Sequence, residues 1–124
     1  MHGKPLWIMI AGPYGSGADT ADERDANLER LNRTGLALLE QGHVPVIGVN
    51  NALPLMALAG EASFERIMMP LSKALAERCD ACLRIEGASK GADEEVELFR
   101  KAGKPVFSRL EEIFDRPWMR PSSR

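Results

Sequence analysis

Gly87-Ala88-Ser89-Lys90-Gly91-Ala92-Asp93-Glu94-Glu95 places two glycines, a serine and three consecutive acids directly after an apolar strand, where a helix begins. A carboxylate in a first helical turn meets unpaired backbone N–H groups and the positive end of the helix dipole, which favour its ionised form. An ionised, oriented carboxylate beside a glycine-lined cradle suits nucleophilic or general-base chemistry. The same residues also read as helix capping, with Ser89 as N-cap and the three acids as dipole partners. These nine residues alone leave both readings open.

The second glycine-rich loop, Gly12-Pro13-Tyr14-Gly15-Ser16-Gly17, has neither the G-x-x-x-x-G-K-[ST] spacing of an NTPase loop nor G-x-G-x-x-G. It retains a short flexible backbone that can accept one phosphate or pack on a sugar. Tyr14 reads equally as a ligand contact or as a plain loop aromatic. Arg24 and Asn27, on the first turns of the next helix, either reach the crevice or stay solvated. Acids dominate the inventory: Glu95 foremost, then Asp19, Asp22, Asp80 and Glu94. Cleavage of a glycosidic bond led by a carboxylate fits such a set. No Ser-His-Asp set, H-E-x-x-H or paired histidines can be assembled, so neither triad hydrolysis nor a metal or other cofactor is expected. Cys79 and Cys82 form a lone C-x-x-C without the second pair of a structural zinc site, and read as buried free thiols. His43 falls at the amino end of the second strand, away from the chemistry, and reads as structural.

The elements that position these residues follow from hydrophobic spacing. Leu6–Ala11 is an unbroken apolar run, as in a strand covered on both faces. Thr20 and Glu23 form a capping box, followed by Leu28, Leu31, Gly35, Leu38 and Leu39 at helical spacing and a closing Gly42. Val44–Val49 is a second strand, with Pro45 marking an edge or a strand start. Asn50–Gly60 lacks a period and reads as a loop with a short helical turn. Ser63 caps a helix carrying Phe64, Ile67, Met68, Leu71 and Leu75, which Pro70 either kinks or restarts. Ala81–Ile85 is the third strand. The glutamate helix follows, with Val96, Phe99 and Ala102 inward and Gly103 at its end. Pro105–Phe107 is the fourth strand, and Ser108 with Glu111 caps a last helix bearing Ile113 and Phe114.

This alternation predicts an α/β fold: a Rossmann-like parallel sheet of four to five strands in the flavodoxin-like order 2-1-3-4, with helices on both faces. Ligands of such sheets bind where the order reverses, at the carboxyl ends of strands one and three. The two glycine-rich loops follow those two strands, so both point to one crevice.

The 124 residues suit one domain, with 1–116 forming the α/β unit and 117–124 a tail anchored only by Trp118. A content of 44% hydrophobic and 27% charged residues is that of a soluble globular chain. A net charge of −2 argues against a nucleic acid polymer as partner. Apolar runs are too short for a membrane span and no signal peptide is visible, which makes the cytoplasm the expected location.

Ile10-Ala11-Gly12-Pro13-Tyr14, Cys79-Asp80-Ala81, the Ser89-x-Gly91-Ala92-Asp93-x-Glu95 block and Gly103-Lys104-Pro105-Val106 together resemble the nucleoside 2-deoxyribosyltransferase-like superfamily. More narrowly, they look like its small bacterial and phage branch, the DUF4406 proteins. The resemblance spans residues 6 to about 114. It implies a Rossmann-like fold and cleavage of the N-glycosidic bond of a nucleoside or nucleoside 5′-monophosphate. The superfamily's nucleophilic glutamate lies four residues after the glycine of a G-x-x-x-E segment, which selects Glu95 from Gly91. By the same resemblance Gly12, Ser16 and Ser89 would hold a 5′-phosphate, and the chain would form a homo-oligomer. With Tyr14, Asn27 and Gly91 these are the residues expected to bind the substrate. Asp80 matches a recurrent acid, read as structural at its place on the strand. Where relatives often carry a tyrosine within strand one, this chain has Met9, with Trp7 two residues before it. The first loop also lacks the acid–aromatic pattern of the true transferases, so hydrolysis is favoured over deoxyribosyl transfer. The Met9 departure motivates the alternative of a non-catalytic nucleotide-binding module. A third reading makes both loops mere helix caps in a partner-binding protein.

Overall fold

A computed structural model describes residues 4–15 and 17–114. Ser16 and the expected tail, 117–124 with Trp118, lie outside the described residues. The elements run β1 (Trp7–Ala11), α1 (Ala21–Glu40), β2 (Val44–Val46), α2 (Gly48–Ala59), a 3-10 turn (Glu61–Ser63), α3 (Phe64–Arg78), β3 (Ala81–Arg84), α4 (Lys90–Lys101), β4 (Val106–Phe107) and α5 (Leu110–Phe114). The four strands are all parallel in the order β2-β1-β3-β4. The fold is therefore α/β and Rossmann-like, and Pro45 sits on an edge strand where its missing N–H costs no ladder bond.

Side chains alternate across β1 and divide the core in two. Ile8 and Ile10 face one layer with Ala81, Leu83 and Phe107, closed by Leu31 and Leu38 of α1 and Ile113 of α5. Met9 and Ala11 face the other with Cys82, closed by Ala76 of α3 and Ala92, Val96 and Phe99 of α4. Burying both faces is what makes β1 read as a continuous apolar run. The amino ends of the strands are tied by polar groups. The Trp7 N–H donates to Asp80 Oδ2 at 2.8 Å, and the Leu6 N–H to His43 Nδ1 at 3.1 Å. Asp80 and His43 are structural here; burial lowers the His43 pKa, which suits an imidazole that must accept a hydrogen bond.

Four local expectations are corrected. Asn50–Gly60 is not a loop: α2 occupies Gly48–Ala59, and the second strand stops at Val46. Ala, Leu and Met supply strong helix propensity there, and their all-round apolar distribution hides the period. Leu39 and Ala102 are exposed, lying off the buried stripes of α1 and α4. Ser63 is the N-cap of α3 but makes no cap bond, its hydroxyl donating instead to the Gly60 carbonyl. At the last helix Glu112, and not Glu111, reaches back to the Ser108 N–H, at 2.7 Å. The capping box of Thr20 and Glu23 forms as expected, and α3 runs through Pro70 without a break.

Candidate functional site

Burial of one acid defines the site. Of the three consecutive acids, Asp93 and Glu94 are exposed and Glu95 is buried, at 9% exposure. The helix begins at Lys90, so Asp93 stands in its first turn and Glu95 in its second, turned toward the sheet. The expectation of a carboxylate kept ionised by the helix start is thereby overturned for Glu95. Burial pushes its pKa up to about 7, although the Ser72 hydrogen bond and the Arg84 charge pull the other way. A carboxylate titrating near neutrality is suited to proton transfer as well as to attack.

Ser89 is the N-cap of α4, its Oγ accepting the Ala92 N–H at 3.1 Å. The capping reading is correct for this residue, and the same hydroxyl lies at the head of the glutamate helix. Gly91 is exposed on the first turn with open space around it. Asn27 donates from Nδ2 to the Tyr14 carbonyl at 2.7 Å, so it anchors the first loop to α1. The half-buried Tyr14 ring packs on the α1 side of the core.

The two glycine-rich loops meet directly. A Cβ on Gly12 would lie 2.3 Å from Ile85 Cγ1, and one on Gly87 would lie 2.6 Å from Pro13 Cγ. Both glycines therefore have a packing reason, independent of any ligand. Glu95 is bordered elsewhere, by the start of α2 and by α3: Ser72 Oγ donates to its Oε2 at 2.7 Å, and a Cβ on Gly48 would stand 3.6 Å from that oxygen.

Three contributors escaped the sequence reading. Arg84, at the carboxyl end of β3, donates to the Gly87 carbonyl at 2.9 Å and pairs with Asp93 Oδ1 at 3.1 Å. It thus ties the third-strand loop to the first turn of α4 and places a positive charge near Glu95. The signal was a lone arginine ending an apolar strand. Ser72 was detectable as the one polar member of the stripe Met68, Ser72, Ala76. Gly48 was hidden by the misread of α2.

Cys79 and Cys82 are free and buried, and burial pushes their pKa values up to about 11 and about 12, so neither is a ready nucleophile. Two hollows are lined by other residues than Glu95. One of about 400 Å³ sits between α3 and α4, lined by Lys73, Glu94 and Lys101 among others; one of about 460 Å³ lies along α1 at Asn32 and Leu36. Their ionisable side chains are solvated, whereas Glu95 is held desolvated at the carboxyl side of the sheet. Among the described residues no cluster of three His, Cys, Asp or Glu could hold a metal ion, and no helix is long and apolar enough to cross a membrane. In comparisons with known proteins, the chain matches no family model and no curated sequence.

Proposed function

We propose that the chain is an N-glycosidase that hydrolyses the base–sugar bond of a nucleotide or nucleoside, with Glu95 as nucleophile or as base for water. The observation that carries this reading is the one buried carboxylate among the described residues, at the carboxyl side of a Rossmann-like sheet, with a pKa raised to about 7. Among the described residues its Oε2 is bonded by Ser72 and its Oε1 by nothing. Among the described residues no fully buried side-chain oxygen lacks a partner, so Oε1 is the oxygen that keeps some exposure. An oriented carboxylate meeting an oxocarbenium-like carbon is the arrangement glycosidic cleavage requires. Incubation with a panel of nucleoside 5′-monophosphates, followed by chromatography for free base, tests the reading. Base from at least one member is expected, and none from any overturns it.

A second reading, a nucleotide-binding module without chemistry, draws on Met9. That side chain is fully buried against the α3–α4 layer, so strand one offers no hydroxyl beside Glu95. Micromolar nucleotide binding in calorimetry without base release would select it.

The phosphate role of Ser89 is separable from its capping role. Ser89→Asp keeps a good N-cap, so stability stays within ~0.5 kcal/mol of wild type. The added charge repels a 5′-phosphate, and nucleotide affinity falls ~10-fold or more in calorimetry. Unchanged affinity would return Ser89 to capping alone. The same proposal includes self-association. Helix α2 has no charged residue and leaves Leu58 89% and Leu55 49% exposed, a face that can meet its own copy without like-charge repulsion. Sedimentation should find a dimer or larger assembly that Leu58→Glu dissociates; a wild-type monomer contradicts this.

A further inference from the structure

We propose that Ser72 is a positioning residue for Glu95: its hydroxyl fixes Oε2 so that Oε1 is the oxygen presented to the reacting carbon. This rests on the glycosidase reading of Glu95. Ser72 is 2% exposed on the inner stripe of α3, where an alanine would pack equally well. Helical serines commonly return their hydroxyl to the carbonyl four residues back. This one is committed across the helix pair to Glu95 on α4, at 2.7 Å.

The opposite flank is closed by the first residue of α2. A Cβ at Gly48 would stand 2.8 Å from Met68 Cε, 3.2 Å from Ser72 Oγ and 3.6 Å from Glu95 Oε2. Helices α2 and α3 thus enclose the hydroxyl–Oε2 pair. Rotation of the carboxylate would break a buried hydrogen bond, which is what keeps its two oxygens distinct.

The other groups around Glu95 do not duplicate this role. From β3, the Arg84 charge favours the ionised carboxylate, and the Cys82 thiol lies near enough to be raised by it. β1 and α2 contain no charged residue, and the charged side chains of α3 (Glu65, Arg66, Lys73, Glu77, Arg78) are exposed. Ser72 is the hydrogen-bond donor to Glu95 among the described residues.

The test compares wild type with Ser72→Ala and Ser72→Thr by carbon-13 NMR titration of the Glu95 carboxyl and by the pH profile of base release. A donor to a carboxylate stabilises the ionised form, so its loss raises the pKa. In Ser72→Ala the Glu95 midpoint should rise by about one pH unit. The acid limb of kcat/KM should move with it, and kcat should fall ~10-fold with KM within about twofold. Ser72→Thr, which keeps the hydroxyl, should restore both. Ser72→Cys, of similar volume and a weak donor, replaces the alanine form if that does not fold. An unmoved Glu95 midpoint overturns the proposal whether or not nucleotides are cleaved. A moved midpoint in a protein that releases no base upholds the hold on Glu95 and overturns the glycosidase reading instead.

Discussion

Glu95→Gln should abolish base release, by ~10³-fold or more, and at the same time make the protein more stable at pH 8. Both effects come from one buried charge. The fold raises the Glu95 pKa from 4.5 to about 7, so it binds that proton more tightly than the unfolded chain does. The stability contributed by the protonated form is full below pH 4.5 and is lost as pH rises through about 7. The whole effect is ~3 kcal/mol, at ~1.4 kcal/mol per pH unit. Glutamine is neutral throughout, can still accept from Ser72, and leaves its other end where Oε1 kept some exposure. Its melting temperature should therefore exceed wild type by roughly 10 °C at pH 8 and converge with it near pH 4. Cleavage should run the opposite way in the wild type, with kcat/KM climbing through about pH 7 as Glu95 ionises. Thermal scans and base release across the same pH series check both trends. A variant less stable than wild type at pH 8 would mean that Glu95 is a structural anchor and not a strained functional group.

The second large effect concerns the interlocked loops. Gly87 has φ +118°, a conformation that side chains rarely adopt, and its missing Cβ faces the rigid Pro13 ring at 2.6 Å. Gly87→Ala should cost ~2–4 kcal/mol through backbone strain and displacement of the first loop. Gly91→Ala is the contrast. Nothing lies within 4 Å of its Cβ position and it stands in a helix, so the substitution should be neutral or stabilising by up to ~1 kcal/mol. Urea unfolding separates the two. Similar losses at both positions would contradict the packing account of Gly87.

The order of the sheet was legible because each strand carries its own signal: an unbroken apolar run in β1, a proline in the edge strand β2, and turn glycines between. The glutamate was legible as one of three acids, and the family resemblance, through its glycine-to-glutamate spacing from Gly91, pointed to the one that proves buried. Its electrostatics were not. The first-turn carboxylate of Asp93 and the second-turn carboxylate of Glu95 stand two residues apart in sequence but differ by a whole desolvation penalty in energy, since only the latter faces the sheet. The partners of Glu95 escaped for a related reason. Ser72 and Gly48 matter through contacts across helices, which periodicity within one segment does not encode. Helix α2 escaped because, beyond Asn50 and Asn51, its apolar residues run all round and leave no polar face to set a phase. Glycines at positions 12 and 87 pointed correctly to two loops that meet, although the reason is loop-on-loop packing.

The most direct test is a crystal of Glu95→Gln soaked with a nucleoside 5′-monophosphate that the wild type cleaves. The account predicts the anomeric carbon within ~3.5 Å of the residue 95 side chain, on the side that Oε1 occupies and away from Ser72. A nucleotide seated instead in the α3–α4 groove or along α1, with its sugar remote from residue 95, would contradict it.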